Sequence, residues 1–416
     1  MSKCNTNFDC SYFNFCNEKK ICEHESINLF TIKSNFIGYL LTLIITTFCS
    51  ISSISGGSLN IANLRFVLNF YYNEAKPICI LSYLINYLIN FFFTSKKQNP
   101  YKNEIKAIDY NLTIIGIPSF TFGFIIGDIF SSYDFNNYRN RIICVITCVL
   151  ILIYSFIRLS YSIYYSQFNM DYGNLNFNIE TNSENSVERD KRVLTDSEYI
   201  KNEIIKNNEI IQSEKIQYIY IPLTLMMLFS VLINSKKIIK YSKSYFIIAI
   251  IYLIIQLIYN FLVSKLILIK YQKKLINGYP FIIKDIQYSK RFIFRFQFIN
   301  LLSGLITGIA SIDPGMMIIS FLIRQNINLL IITSSVSLYG LTTSFFAFFY
   351  SFFSKECNFN YMLIIFICSI IGALIGNKIS NFVLKSNPTW IYIIVLMISL
   401  SSLIVFSLCN IILLFK

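Results

Sequence analysis

The sequence predicts an all-α, polytopic membrane protein with about 9–11 transmembrane segments, in two repeated and inverted halves that contain broken short helices. Three observations predict it. Hydrophobic residues make up 55% of the 416 and charged residues only 14%, where soluble domains carry roughly 25% charged residues. Uncharged runs of about 17–25 residues, long enough to cross a bilayer, recur along the chain. Two blocks also repeat the same order of backbone breaks, serines and glycine pairs. Mean hydropathy is +0.55.

Residues 1–35 form a cysteine-rich segment, "CNTNFDCSYFNFCNEKKIC", with Cys4, Cys10, Cys16 and Cys22 evenly spaced. An even number of cysteines in a short polar stretch before a span points to two disulfides on the oxidising side of a membrane. Three pairings are open. His24 is the one histidine in the chain, and the spacing matches none of the usual zinc patterns, so no metal and no cofactor is expected. Residues 1–28 lack an apolar leader. Either the run 36–54 acts as a signal anchor, or the sequence begins inside a longer one.

The first membrane half, 36–165, holds the runs 36–54, 77–95, 110–127 and a shorter one at 142–157. A polar segment at 166–215 carries ten of the 22 acidic residues, the composition of a disordered cytosolic linker. Residues 216–290 add two apolar runs and a basic loop, and the second half, 291–416, adds the rest. Stretches 59–73 and 316–323, at the breaks, count as short spans and bring the total to about eleven.

Loop charge sets the orientation. Lys96, Lys97, Lys102 and Lys106 lie between two spans, and "KYQKKLINGYPFIIKDIQYSKRFIFR" carries seven basic residues against Asp285. Basic loops stay in the cytosol, which leaves the cysteine segment extracytoplasmic in a plasma membrane or endomembrane. The loop Lys236 to Lys243 disagrees. The net charge of +14 is therefore a matter of topology, and no nucleic-acid partner is expected. The partners expected are the lipid bilayer and a small anionic substrate.

The first block opens with "ISSISGGSLNIANLRFVL" and ends in Gly123-Phe-Ile-Ile-Gly127. The second opens with "GIASIDPGMMIISFLIR" and ends in Gly372-Ala-Leu-Ile-Gly376. Pro314 removes a backbone donor, Gly315 permits a tight turn, and Gly56, Gly57 and Ser58 do the same in the first half. A helix restarting after a break points free N–H groups and a positive dipole end into the space before it. Two such ends facing each other make a small anion site, to which Ser311, Thr333, Ser334 and Ser335 add hydroxyls. Asp313 has two readings, a helix N-cap or a proton carrier in the membrane. Arg65 and Arg324 likewise either supply positive charge to an anion or snorkel at the interface. The terminal GxxxG pairs serve close helix packing.

In their order, these motifs resemble the TauE/SafE-type sulfite exporter family. The residues that carry the resemblance are Gly56-Gly57-Ser58, Ser82, Pro100, Ile108-Asp109-Tyr110, Pro118, Gly123 and Gly127, with "GIASIDPGMMIIS", "TSSVS" and "GALIG" in the second half. The prolines that follow the family's openings correspond here to Ala62 and Ser320. The resemblance implies a multi-pass secondary transporter of sulfite or a small organosulfonate; alternating access is the mechanism expected, with proton coupling if Asp313 carries a proton. No nucleophile–base pair or helical metal motif points to an enzyme. The alternative class is a receptor-like or scaffold protein using the cysteine segment and the acidic linker.

Overall fold

A computed structural model describes residues 14–16, 22–24, 35–51, 54–70, 72–99, 102–133, 229, 242–276, 286–325, 327–352, 359–385 and 401. Cys4, Cys10, the linker 166–215 and the apolar runs 142–157 and 216–235, apart from Phe229, lie outside the described residues, as does 386–415 apart from Ser401. Nine helices are described: α1 (Phe36–Ile51), α2 (Gly57–Phe66), α3 (Tyr72–Thr94), α4 (Tyr110–Tyr133), α5 (Lys243–Ile276), α6 (Lys290–Ala310), α7 (Gly315–Arg324), α8 (Leu329–Phe352) and α9 (Phe359–Lys385). Two small antiparallel hairpins accompany them. β1 (Asn14–Cys16) pairs with β2 (Cys22–His24), setting Cys16 opposite Cys22, and β3 (Gln98–Asn99) pairs with β4 (Lys102–Lys106).

Six helices, α3, α4, α5, α6, α8 and α9, are long and apolar enough to cross a membrane. The protein is an all-α, multi-pass integral membrane protein. Its outer surface suits lipid: α5 exposes Ile247, Ile250, Ile251, Ile254, Leu257, Ile258 and Phe261, a helix face that water would not tolerate.

The two short helices do not cross, contrary to their reading as short spans. α2 doubles back along α1, because Asn63 Nδ2 donates to the Gly38 carbonyl (2.7 Å) and to Thr42 Oγ1 (2.9 Å). Asn35 and Phe70, on either side of this hairpin, both reach Tyr361. α7 doubles back along α6 in the same way, setting the Phe321 ring 5.7 Å from Phe292 and 6.0 Å from Phe296. The reason is length. Ten residues rise ~15 Å, half of a ~30 Å hydrocarbon core, and each break reverses the chain.

Side-chain contacts give every helix a direction. α9 runs parallel to α1, with Gly372 over Thr46 and Gly376 over Ser50, and parallel to α3, with Ser369 on Ser82 and Asn377 on Asn90. α4 runs parallel to α6, where Gly123 meets Leu301 and Gly127 meets Leu305, and to α8 through the Phe120–Tyr339 and Phe124–Phe346 ring pairs. α3 and α4 oppose each other, since Lys76 near the start of one bonds Asp128 near the end of the other. Hairpin α1–α2 therefore opens on one face of the bundle and hairpin α6–α7 on the other. The loop between α3 and α4 and the start of α6, with Lys290 and Arg291, share a face, as the charge reading requires. Lys243 opens α5 at the opposite face, beside the α8 end that carries Tyr350.

The α4–α6 seam is a backbone contact. A Cβ on Gly123 would lie 2.0 Å from the Leu301 carbonyl oxygen, and one on Gly304 would lie 2.0 Å from that of Phe120. GxxxG thus meets GxxxG, letting the helix axes approach closely where no hydrophobic drive operates between helices. Gly123→Ala should cost ~1–3 kcal/mol by overpacking. Gly38→Ala should cost clearly less, because its Cβ meets only the movable Leu68 side chain. Thermal unfolding of the two variants in detergent checks the order.

Candidate functional site

The site begins with two broken backbones that must be satisfied without water. A chain break at membrane depth leaves free N–H and C=O groups, each of which needs a partner from protein. At the first tip, Asn86 Nδ2 donates to the Ile54 (3.2 Å) and Ser55 (3.0 Å) carbonyls, and Cys79 Sγ lies 3.0 Å from the Gly57 carbonyl. Ser50 Oγ in turn bonds the Asn86 amide oxygen. At the second tip, Thr307 Oγ1 donates to the Ile312 carbonyl (2.7 Å) and Ser303 Oγ to that of Pro314 (3.2 Å). The first tip turns through Gly56, at φ 71°, and the second through Ser311, at φ 53°. Both residues are in the left-handed region that favours glycine.

The two tips meet at Asp313, which is 1% exposed. Its Oδ2 accepts from the Ser55 backbone N–H at 2.8 Å. Its Oδ1 accepts from the Gly315 N–H at 2.9 Å and from the Tyr87 hydroxyl at 2.5 Å. One carboxylate thus draws a donor from each hairpin and a third from α3. Contacts to Asn86, Tyr83 and Tyr87 place the junction at the middle of α3, and Gly340 against Tyr87 places it at the middle of α8. This is half-depth in the bundle.

The N-termini of the two short helices converge, and what stands between them is a carboxyl group belonging to the chain. The two readings of Asp313 are therefore not exclusive. It bonds the first free N–H of α7 as a capping acid does, and it also bonds the other hairpin. Gly56, Gly57, Ser311, Pro314 and Gly315 all lie at the junction. Ser58 is in the first turn of α2, with a side chain outside the described set.

Other residues singled out from the sequence lie elsewhere. Thr333 bonds within its own helix (Leu330 carbonyl, 3.2 Å), and Ser335 Oγ accepts from the Asp109 N–H at 2.9 Å, at the start of α4. Ser334 is buried. Arg65 and Arg324 stand in the last turns of α2 and α7, ~12–14 Å from the tips by helical rise, where a cation complements the negative end of a helix. Arg65 is half-buried and Arg324 exposed. Asp109, in the Ile-Asp-Tyr motif, accepts from the Asn111 N–H (2.9 Å), and burial pushes its carboxyl above the ordinary range.

Sequence reasoning missed four residues: Asn86, Tyr87, Lys76 and Asp128. Asn86 and Tyr87 sit in a chain where both residue types abound, so neither stands out. Lys76 and Asp128 flank the apolar runs 77–95 and 110–127, and hydropathy ends a span at a charge. Both are inside the helices, at 8% and 4% exposure, joined by a 2.6 Å ion pair.

No family model, curated protein or solved structure matches the chain.

Asp313→Ala should strand the Ser55 and Gly315 donors, at ~1–3 kcal/mol for each unpaired buried group. Asp313→Asn should recover only part, because an amide has one acceptor oxygen while the donors attach to both carboxylate oxygens. Melting temperatures should fall in the order wild type, Asn, Ala.

Proposed function

We propose that this protein is a secondary transporter of a small anion, working by alternating access. The observation that carries the proposal is the meeting of two oppositely inserted hairpins at half-depth around a carboxylate. A buried anion held by N–H groups from both tips and a tyrosine hydroxyl marks a place where a small oxyanion is accommodated. Discontinuous helices at the bilayer midplane are the usual construction of such sites. In the state described, Asp313 occupies the position of the substrate. Protonation of Asp313 removes its charge and weakens its hold on the three donors, so the side chain yields them to an anion that enters together with the proton.

The substrate class we propose is a sulfur oxyanion, sulfite or a small organosulfonate, on the resemblance to the TauE/SafE-type family. The inverted repeat belongs to the same proposal. Each half reads long helix, break, ten-residue helix, long helix, long helix. Aligning Gly57 with Gly315 sets Thr46 against Gly304, Ser50 against Gly308 and Ser55 against Asp313. The seams α1–α9 and α4–α6 then become equivalent, and the tip-to-tip bond joins equivalent positions. Related halves inserted in opposite senses provide two states of similar energy, which alternating access requires. The face bearing the basic loops is the cytosolic one on the charge rule, with the cysteine segment opposite.

Uptake of radiolabelled sulfite, sulfate and a small sulfonate into proteoliposomes, with and without an inward proton gradient, tests the reading. Saturable, gradient-dependent uptake of one of them is expected. Gly57→Leu and Gly315→Leu should abolish it in inserted protein, since even a Cβ would lie 1.6 Å from the Tyr83 ring and 2.1 Å from the Tyr87 hydroxyl, respectively. Asp313→Asn should keep anion exchange and lose proton-driven accumulation. Absence of uptake of all three by folded protein would sink the proposal.

A further inference from the structure

Beside the end of α6, between the tip junction and the face opposite the basic loops, lies a second polar centre with no role in the tip junction. Lys76 is the one buried Lys or Arg among the described residues. Its ammonium donates to Asp128 Oδ1 (2.6 Å) and to the Gly308 carbonyl (2.9 Å), and it stands 5.6 Å from the Phe124 ring centroid. Gly308 is in the last turn of α6, so its carbonyl belongs to the negative end of that helix. Asp128 Oδ2 accepts from the Tyr350 hydroxyl at 3.0 Å, and that hydroxyl pairs with Tyr245 at 2.6 Å. Five helices meet here: α3, α4, α5, α6 and α8.

The matching place in the other half is neutral. By the alignment above, Ser334 corresponds to Lys76. Aligning the GxxxG pairs sets Asn377 at the place of Asp128. Asn377 bonds Asn90 at 2.5 Å, and the Ser334 hydroxyl is buried without a hydrogen-bond partner. Packing alone is met there by amides and hydroxyls. On this side the bundle holds an ion pair, which costs desolvation that neutral partners avoid. The pair sits between the tips and the face opposite the basic loops, ~10–16 Å from the tip junction along α3.

We propose that Lys76 is a second station for the transported anion, with Asp128 as its built-in competitor. The inference rests on the transport reading. In the state described, Asp128 and the α6 carbonyl neutralise the ammonium. When the Asp128 carboxylate takes a proton, becoming a neutral acid, Lys76 keeps its bond to Gly308 and pairs with the incoming anion. Charge balances, because one anion and one proton arrive together. The groups facing Asp128 among the described residues include Lys76 from α3, the Gly308 carbonyl from α6 and Tyr350 from α8, with Tyr245 of α5 behind it. Glu74, also buried, lies two positions from Lys76 and on another face of α3.

The test is radiolabelled sulfite uptake by the purified full-length protein in vesicles between pH 5 and 8, for wild type, Asp128→Asn, Lys76→Met and the double variant. Asp128→Asn should half-saturate at lower sulfite concentration and show a weaker acid dependence of that value, the remainder belonging to Asp313, a shift that a purely structural pair would not produce. The neutral double variant, which leaves no lone buried charge, should fold and fall to vesicle background. A folded double variant with wild-type uptake and pH profile overturns the inference while leaving the transport reading in place. No uptake by wild type refutes the transport reading and this inference with it.

Discussion

The contact between Asp313 and the Ser55 N–H is the constraint around which the bundle is arranged. It joins two chain breaks that enter from opposite faces, and it requires them to end at the same depth. That requirement fixes the length of the short helices, since ten residues reach from one face to the midplane and no further. It also explains the polar lining of α3, where Asn86 and Tyr87 answer the groups that the breaks leave open. A carboxylate with donors on both oxygens is well held, yet it remains a charge in a medium that penalises charge.

Around this junction the helices approach one another at small residues. Gly304 and Gly308 lie against Phe120, Phe124 and Gly127, and Gly372 and Gly376 lie against Thr46 and Ser50. In lipid, apolar side chains gain little by leaving the solvent, so van der Waals fit and hydrogen bonds carry the association. Threonine hydroxyls in α1 bond back to their own helix, as Thr42, Thr46 and Thr47 show. They therefore stay compact enough to accept a glycine face. Two seams with different small residues follow from the same physical need.

Much of this was legible in the sequence. Apolar runs, the loop charges and the GxxxG pairs stood out because each is a local property of composition or spacing. The breaks at Gly56-Gly57 and at Asp313-Pro314-Gly315 were legible too, since glycine and proline act on the backbone directly. Lys76 and Asp128 were misplaced because hydropathy ends a span at a charge, and here the charges are inside and paired across helices. Ser335 and Thr333 fitted a hydroxyl-donor pattern, yet helical phase and distance put them at the start of α4 and on their own helix.

Sequence alone determined the membrane class, the helical content and the sites of the two breaks, for these depend on what each residue costs in lipid and on which φ it can adopt. Tertiary structure decided that the short helices turn back, that their tips meet, and that Asp313 and Lys76 each face a partner from a distant helix. Those are questions of direction and depth. Length rules out a crossing by ten residues, and packing against α3 and α8 sets the direction in which each short helix returns.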